Sequence, residues 1–269
     1  MKLLVAGAAE VDAGKTTFAA GLASRTGLPA YKPRAGNDYW YDHDDLRATL
    51  ADGRLYGADV RRLVGASSTD ARPEELNPVH RLWLPTPGRG TGLLGREGRA
   101  FAVDRVTLDG ADRYLVNATV ELPSILPEAL PLAEATVVES FQALEDAMVN
   151  LHRPALDALA ETVDQREAAV VESYADVARP LSAFVPDAVA VVEPRRCRVY
   201  DGERYARACD VTSGSAYEGR LEERVGHVVD LLEPAATTSL PALTGDERGS
   251  VGSIADAYGD AYDALLSAV

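Results

Sequence analysis

Short apolar runs separated by amphipathic segments set the outline of the chain. Three of these runs have the length and continuity of strands that are buried on both faces: residues 2–6, 168–172 and 187–193. The first run leads into residues 16–25, whose apolar periodicity predicts a helix that ends at Gly27. Residues 28–32 predict a short second strand, which Pro33 terminates because proline donates no backbone hydrogen bond.

Helical periodicity and turn signals divide the rest of the chain. Further elements are predicted as helices at residues 44–51, 57–66, 133–164 (two segments), 202–210, 219–232 and 252–268, and as a last strand at 239–243. Residues 100–108 and 113–122 alternate in polarity and flank the sequence DGAD, which predicts a β-hairpin. Residues 69–90 are rich in proline and glycine and predict mainly loop. The glycine-rich segment 88–98 predicts either a flexible connector or a lid over a nucleotide.

Strands that alternate with helices predict an α/β fold with a mostly parallel sheet and helices on both of its faces. The apolar fraction of 46 % supplies enough side chains for a full core. We predict one domain over residues 1–269, with a β-hairpin and loop segment inserted at about 88–139.

The charge composition limits the classes of partner. The net charge of −15 argues against binding to a nucleic-acid backbone, which requires basic patches. No run reaches the roughly 18 apolar residues of a membrane span, and the N-terminal run is too short for a signal peptide, so we expect a cytoplasmic protein. Only Lys2, Lys15 and Lys32 among the 27 basic residues are lysines. This acidic, lysine-poor composition suggests a high-salt cytoplasm, where charges are screened within roughly 3 Å at 1 M salt, although a GC-rich genome also favours arginine.

The sequence VDAGKTT, residues 11–17, lies between the first strand and the first helix, where a phosphate-binding loop belongs. Backbone N–H groups and the helix N-terminus hold phosphates in such a loop. The predicted nucleotide-binding residues are Asp12, Ala13, Gly14, Lys15, Thr16 and Thr17. Lys15 would contact the β- and γ-phosphates, and the hydroxyl of Thr16 would bind Mg²⁺. Ala9 stands where many such loops have glycine, a replacement that also occurs in some branches of this class.

The expected base is adenine. The loop resembles that of translation GTPases, which read guanine with an NKxD segment. No lysine occurs beyond position 32, so this segment is absent, and the DxxG sequence at 246–249 lies in the wrong place. We therefore expect ATP and Mg²⁺ as the cofactors.

Lys32 is a second candidate for phosphate chemistry. It lies at the end of the predicted second strand, in the sequence YKPRAG at 31–36, on the γ-phosphate side of a P-loop site. A compact ammonium and a planar guanidinium are not interchangeable at a phosphate, so a lysine retained in a lysine-poor chain supports this role. A solvated lysine at a strand end is the alternative interpretation.

These features together resemble dethiobiotin synthetase and its P-loop relatives. The resemblance is carried by GKT at 14–16, YKP at 31–33, GADVRRLVGASS at 57–68, LNP at 76–78 and a buried strand that ends at Glu172. It covers roughly residues 1–87 and 140–269. The nucleotide half matches better than the substrate half, because Ser173 and Tyr174 stand where the family has a glycine pair.

The resemblance implies a P-loop ATPase fold and a set of roles. Lys15 and Lys32 would be catalytic, Lys32 by contacting the γ-phosphate and the developing anion of the substrate. Thr16, Asp59 and Glu172 would bind Mg²⁺, in agreement with the preference of this ion for hard oxygen ligands. An ordinary acidic residue is the alternative for both Asp59 and Glu172. The family usually pairs its subunits across the site, so the resemblance also implies a homodimer.

The sequence is compatible with two functions. A ligase-like or cyclase-like enzyme would use ATP to phosphorylate a carboxylate or carbamate of a small molecule, giving a mixed anhydride for a nucleophile to attack. A nucleotide-dependent switch would instead act on a protein partner, with the 100–122 hairpin as the partner surface. The polar segment 37–45 argues against a core strand there. Its YDHDDL part, 41–46, would be an acidic loop near the substrate, a halophilic surface or a second metal site.

Overall fold

The computed structural model describes residues 1–8, 14–67, 69–88, 92–182, 184–212 and 223–269. Its strands are, in chain order, β1 (Lys2–Gly7), β2 (Ala30–Tyr31), β3 (Arg34–Asp38), β4 (Val79–Pro85), β5 (Arg99–Leu108), β6 (Ala111–Asn117), β7 (Thr136–Val138), β8 (Ala169–Glu172), β9 (Ala188–Glu193), β10 (Arg196–Asp201) and β11 (Ala236–Ser239). The protein is therefore an α/β protein, and its strands form two mixed sheets.

The helices connect and cover these strands. They are, in the described ranges, α1 (Lys15–Thr26), α2 (His43–Ala51), α3 (Ala58–Ala66), α4 (Pro73–Leu76), α5 (Ile125–Ala129), α6 (Phe141–Ala147), α7 (Arg153–Gln165), α8 (Gly202–Thr212), α9 (Val225–Val229), α10 (Gly245–Gly249), α11 (Val251–Ala257) and α12 (Gly259–Leu266). A short 3₁₀ helix (Leu132–Glu134) follows α5, and a π-helix (Met148–His152) joins α6 to α7. None of the described helices combines the length and the apolarity that crossing a bilayer requires.

The chain divides into two compact units, each built around one sheet. The first unit comprises Met1–Pro33, Arg62–Asp70 and Thr162–Val269, and the second comprises Arg34–Arg61 and Ala71–Glu161. The predicted insertion at 88–139 supplies β5, β6 and β7 to the second sheet, while β3 and β4 come from the preceding part of the chain.

The sheet of the first unit has the strand order β11-β10-β9-β1-β8-β2 in the described part of the chain. Four neighbouring strands run parallel to one another: β2, β8, β1 and β9. At the other edge of the sheet, β10 is antiparallel to β9, and β11 is antiparallel to β10. The longer parallel strands correspond to the continuous apolar runs of the sequence. A strand that is covered on both faces has apolar side chains at successive positions and not only at every second one. The register places Val5 of β1 beside Glu172, the last residue of β8.

Helix α1 packs closely on the C-terminal helices of the first unit. Phe18 and Tyr262 meet edge to face with ring centroids 4.7 Å apart, and the Tyr262 hydroxyl donates a hydrogen bond to the carbonyl oxygen of Phe18 at 3.0 Å. Gly21 faces the same contact. A Cβ at position 21 would lie 2.3 Å from Tyr262 Oη and 2.6 Å from Ile254 Cγ2, so only glycine allows this approach.

The sheet of the second unit has the order β3-β4-β5-β6-β7 within the described residues. Strands β4, β5 and β6 are antiparallel, whereas β3 and β7 run parallel to their neighbours. The predicted hairpin is confirmed as β5 and β6. Its turn residues Asp109 and Gly110 both have positive φ, 53° and 75°, as the favoured two-residue hairpin turns require.

A charged cluster lies inside the second unit. Arg81 Nε donates to Asp104 Oδ1 at 2.7 Å, and Asp104 is fully buried. His152 Nε2 lies 3.1 Å from Asp104 Oδ2. Burial by itself raises the pKa of Asp104, but the positive charge and hydrogen bonds of Arg81, with His152, outweigh burial and hold this pKa well below its usual range.

Several sequence predictions need correction. Residues 69–90 are not mainly loop, because β4 occupies Val79–Pro85 with most of its side chains buried. Asn37 and Asp38 belong to β3, which is an edge strand. Strands β7 and β10 were not predicted, β7 lies inside the predicted helical segment 133–164, and the last strand lies at Ala236–Ser239 instead of 239–243. The predicted helix 252–268 is two helices, α11 and α12, with a break at Tyr258.

Candidate functional site

The predicted phosphate-binding loop connects β1 to α1. Gly14 directly precedes α1 and has φ 82°, a left-handed conformation that favours glycine. A Cβ there would lie 3.9 Å from Val192 Cγ1, an ordinary contact, so the backbone conformation and not the available space selects glycine. Two predicted nucleotide-binding residues, Asp12 and Ala13, lie outside the described residues, as does Ala9.

Three predicted site residues meet at the carboxyl end of β8. The hydroxyl of Thr16 donates to Glu172 Oε1 at 2.6 Å, and Lys32 Nζ donates to the same oxygen at 2.8 Å. Lys32 Nζ also lies 3.1 Å from Thr16 Oγ1. Glu172 is fully buried and Lys32 is 6 % exposed. The alternative of a solvated lysine at a strand end is therefore wrong for Lys32, because its ammonium is buried in an ion pair.

The parallel register explains why these side chains converge. Thr16 lies in the first turn of α1, which follows β1, and Glu172 ends the neighbouring strand β8. Lys32 directly follows β2, which pairs with β8 on its other side. Because the carboxyl ends of parallel strands lie at the same edge of a sheet, residues far apart in the sequence reach one another there.

Lys15 contacts a different part of this edge. It is 8 % exposed, and its Nζ donates to the backbone carbonyl oxygen of Ala175 at 2.6 Å. Ala175 has φ 48°, a left-handed conformation that is uncommon for alanine. The segment that contains Ala175 is joined to residues 223–225, since Val225 N–H donates to Asp176 O at 2.8 Å and Arg224 Nη1 donates to Asp176 Oδ2 at 2.9 Å.

The second carboxylate oxygen of Glu172 differs from the first in its contacts. Glu172 Oε2 is buried and has no hydrogen-bond partner among the described residues. An unpartnered carboxylate oxygen in the interior is costly, and a metal ion would satisfy it. The described residues contain no cluster of three or more histidine, cysteine, aspartate or glutamate side chains that could hold a metal. One carboxylate and one hydroxyl fit Mg²⁺, which usually takes few protein ligands together with phosphates and waters.

Thr17 contacts a residue that the sequence analysis did not select. Arg62 Nη1 lies 3.5 Å from Thr17 Oγ1, and the same guanidinium donates to the carbonyl oxygen of Arg248 in α10. Arg62 belongs to the GADVRRLVGASS segment that carries part of the family resemblance. Its helical position, one turn beyond Asp59, is the signal in the sequence that could have identified it.

Asp59 lies in the second unit, in the first turn of α3, where it is exposed. Lys15, Thr16, Lys32 and Glu172 all belong to the first unit. A role for Asp59 as a Mg²⁺ ligand therefore stays a prediction.

Known proteins give no further assignment. No protein family, no curated protein and no solved structure matches the chain.

Proposed function

We propose that the chain is a P-loop ATPase similar to dethiobiotin synthetase, and that it uses Mg-ATP to phosphorylate a carboxylate or carbamate of a small molecule. The observation that carries this proposal is the meeting of Thr16, Lys32 and Glu172 at the carboxyl end of β8, beside the N-terminus of α1. Two lysines, a threonine and a carboxylate at a helix N-terminus match the needs of phosphoryl transfer, which depends on positioning and charge neutralisation.

Each side chain has a distinct part in this proposal. Gly14 and its neighbours Asp12, Ala13 and Thr17 would hold phosphate oxygens through backbone N–H groups. Lys15 would exchange the Ala175 carbonyl for the β- and γ-phosphates. Lys32 would move its contact from Glu172 towards the transferred phosphoryl group. The substrate oxygen would form its bond to the γ-phosphorus as the bond to the bridging oxygen of ADP breaks.

Glu172 Oε2, which has no hydrogen-bond partner among the described residues, supports Mg²⁺ as the metal. Glu172 and the hydroxyl of Thr16 would hold it from the protein side. When bound, Mg²⁺ supplies charge neutralisation to the phosphate oxygens. The hydrogen bond from Thr16 to Glu172 keeps the two oxygens close together before the ion arrives.

ATP is proposed in preference to GTP because of lysine usage. The chain has no lysine after Lys32, so a guanine-reading NKxD segment cannot be present. The substrate remains a small molecule whose identity the side chains near Glu172 do not specify, since Ser173 and Tyr174 replace the glycine pair of the family.

A second candidate is a nucleotide-dependent switch that acts on a protein. The contact between Lys15 and Ala175 favours it, because binding of phosphate would break this contact and free a segment that is joined to Arg224 and Val225. Release of a segment by a nucleotide is a common way to switch partners. An enzyme would show slow basal hydrolysis that a small molecule stimulates, whereas a switch would respond to a protein.

The test is a thermal shift assay of the purified chain with Mg²⁺ and ATP, ADP, GTP or CTP, in low and in molar KCl. A ligand that binds the folded state raises its melting temperature by mass action. We expect ATP with Mg²⁺ to raise it, and Lys15→Ala to abolish the effect. Unchanged nucleotide affinity in Lys15→Ala would refute the phosphate-loop interpretation, and a shift with GTP alone would overturn the assignment of the base.

Lys32→Arg separates binding from chemistry. A guanidinium keeps the charge but cannot replace a compact ammonium at the transferred phosphoryl group. We expect the variant to bind ATP with near-normal affinity and to turn over more slowly in the basal hydrolysis assay. Normal turnover would limit Lys32 to a structural role in the ion pair with Glu172.

A further inference from the structure

Two aromatic side chains in the second unit are presented to solvent. Trp40 is 72 % exposed and Tyr41 is 86 % exposed, in the turn that joins β3 to α2. We call residues 38–42 the aromatic turn. Side chains of this kind bury about 150–250 Å² each, so the pair exposes roughly 300 Å² of aromatic surface. That area lies at the lower end of the range of about 300–600 Å² for the largest apolar patch of a typical monomer, and such patches are often functional.

Hydrogen bonds fix the backbone of the aromatic turn. Asp38 Oδ1 accepts from the backbone N–H groups of Trp40 at 2.8 Å and Tyr41 at 3.2 Å. The backbone N–H of Asp38 donates to Asp42 Oδ2 at 2.7 Å, and that of Asp42 donates to Asp38 O at 2.9 Å. These hydrogen bonds therefore hold the backbone that carries the two rings in one conformation. A partner would bind them without the entropic cost of ordering the turn.

The other tryptophan of the chain shows which group this protein places on aromatic rings. Trp83 is 5 % exposed, and two guanidiniums lie over its ring, those of Arg99 at 4.7 Å and Arg81 at 5.4 Å from the centroid. In the described part of the chain, no cation lies over the rings of Trp40 or Tyr41. A cationic group of a ligand could lie over the rings of Trp40 and Tyr41 as the guanidiniums of the protein lie over Trp83.

The charge around the aromatic turn selects the same kind of ligand. Residues 37–46 contain four aspartates and no lysine or arginine, and Arg61 Nη2 lies 3.4 Å from Oδ1 of one of them, Asp45. The pKa of Asp42 is raised, first by burial and then by repulsion from Asp38, Asp45 and Asp59, against a backbone hydrogen bond that lowers it. The turn therefore lies in a negative potential that a cationic ligand would neutralise. The same potential repels phosphate groups and anionic lipids.

We propose that Trp40 and Tyr41 form a docking surface for an arginine-rich segment of another protein. Its guanidiniums lie over the two rings, and its remaining positive charge faces the aspartates of the turn. Arginine is preferred over lysine because its planar, weakly hydrated guanidinium stacks on aromatic faces. Aromatic residues at the centre of an interface, with charges at the rim, are the usual arrangement of strong contacts. This surface does not depend on the proposed nucleotide site.

The probe is an acetylated hexa-arginine amide, titrated into the full chain and followed by tryptophan fluorescence and calorimetry. Trp40 and Trp83 are the only tryptophans, so Trp40→Phe identifies the signal that belongs to the turn. The decisive variant is Trp40→Ser with Tyr41→Ser, which keeps every carboxylate. Val137→Ser is the matched control, because Val137 is another exposed apolar residue of the second unit, 56 % exposed.

We expect saturable binding of hexa-arginine, weaker binding of hexa-lysine and a loss of about tenfold in affinity in the double variant. Val137→Ser is expected to bind as the wild type does. In about 1 M KCl, where charges are screened beyond roughly 3 Å, a difference between wild type and double variant should persist. Equal affinity of the double variant and the wild type would overturn the proposal, since charge alone would then explain binding. Absence of saturable hexa-arginine binding would also overturn the proposal. So would a shift of Trp40 fluorescence that phosphatidylcholine vesicles cause and hexa-arginine does not.

Discussion

The ion pair between Lys32 and Glu172 gives a test of the candidate site that needs no ligand. Lys32→Met keeps the length of the side chain and removes its charge, so the carboxylate of Glu172 stays in the interior. Lys32 is the one cation that forms an ion pair with Glu172 in the described part of the chain. Breaking a buried pair from one side costs about 3–5 kcal/mol. We expect a loss near 3 kcal/mol, because the hydroxyl of Thr16 still donates to Glu172.

A second variant separates the buried charge from the lost packing. Lys32→Met combined with Glu172→Gln removes both charges and retains similar side-chain volumes. A buried pair replaced as a whole often costs little, so we expect the double variant to lose about 1 kcal/mol or less. The second substitution would then recover about 2 kcal/mol of the stability that Lys32→Met loses, which is the sign expected for two residues in contact. Lys2→Met is the matched control, since Lys2 forms an ion pair at 3.8 Å with Asp164, whose side chain is 92 % exposed, and such pairs contribute about 0–1 kcal/mol.

The assay is urea unfolding at constant KCl, followed by far-ultraviolet circular dichroism and by tryptophan fluorescence. Both tryptophans belong to the second unit, so fluorescence reports this unit, while the ion pair belongs to the first. The dichroism midpoint should fall in Lys32→Met and recover in the double variant. A single variant that loses less than about 1 kcal/mol, or a double variant that loses as much as the single one, would refute the assignment of a buried charge pair.

Two further perturbations test packing and buried charge in the same unfolding assay. Gly21→Ala is expected to destabilise the first unit by about 1–3 kcal/mol, because the new Cβ would meet the Tyr262 hydroxyl at 2.3 Å. Gly65→Ala, with nothing within 4 Å of its Cβ, should be neutral or stabilising by up to about 1 kcal/mol, and the same sign for both variants would contradict this reasoning. Asp104 has a depressed pKa in the folded state, so its contribution to stability is present above the unfolded pKa of about 4 and is lost as the pH falls further. Asp104→Asn should lower the free energy of unfolding by about 3–5 kcal/mol at pH 7 and should reduce the loss of stability at acidic pH. If the loss of stability at acidic pH is unchanged, the pair of Asp104 with Arg81 is not its cause.

The sequence predicts well where local pattern and long-range structure agree. The apolar run at 168–172 predicted β8, and its parallel pairing with β1 brings Glu172 to Val5 and hence to the first turn of α1. Lys32 follows β2, a strand of only two residues that pairs with β8. Its predicted position at the carboxyl end of the second strand is therefore confirmed.

The sequence fails where a residue depends on a distant partner. The segment 79–85 was predicted as loop because residues 69–90 are rich in proline and glycine, yet it forms β4, where Asp104 of the neighbouring strand pairs with Arg81. The contact between Lys15 and Ala175 could not be predicted, because the acceptor is a backbone carbonyl that carries no residue-specific signal. Arg62 reaches Thr17 through the packing of α3, which local periodicity does not specify.

The burial of the lysines has a consequence for the chemical reactivity of the protein. Lys15 and Lys32 are 8 % and 6 % exposed, the side chain of Lys2 is 17 % exposed, and the chain has no other lysine. The surface therefore presents arginine in place of primary amines. Acylating reagents and amine cross-linkers would find few targets beyond the α-amino group. The two least accessible amines are those of the candidate site, so their rate of acylation, read by mass spectrometry, would report directly on what occupies it.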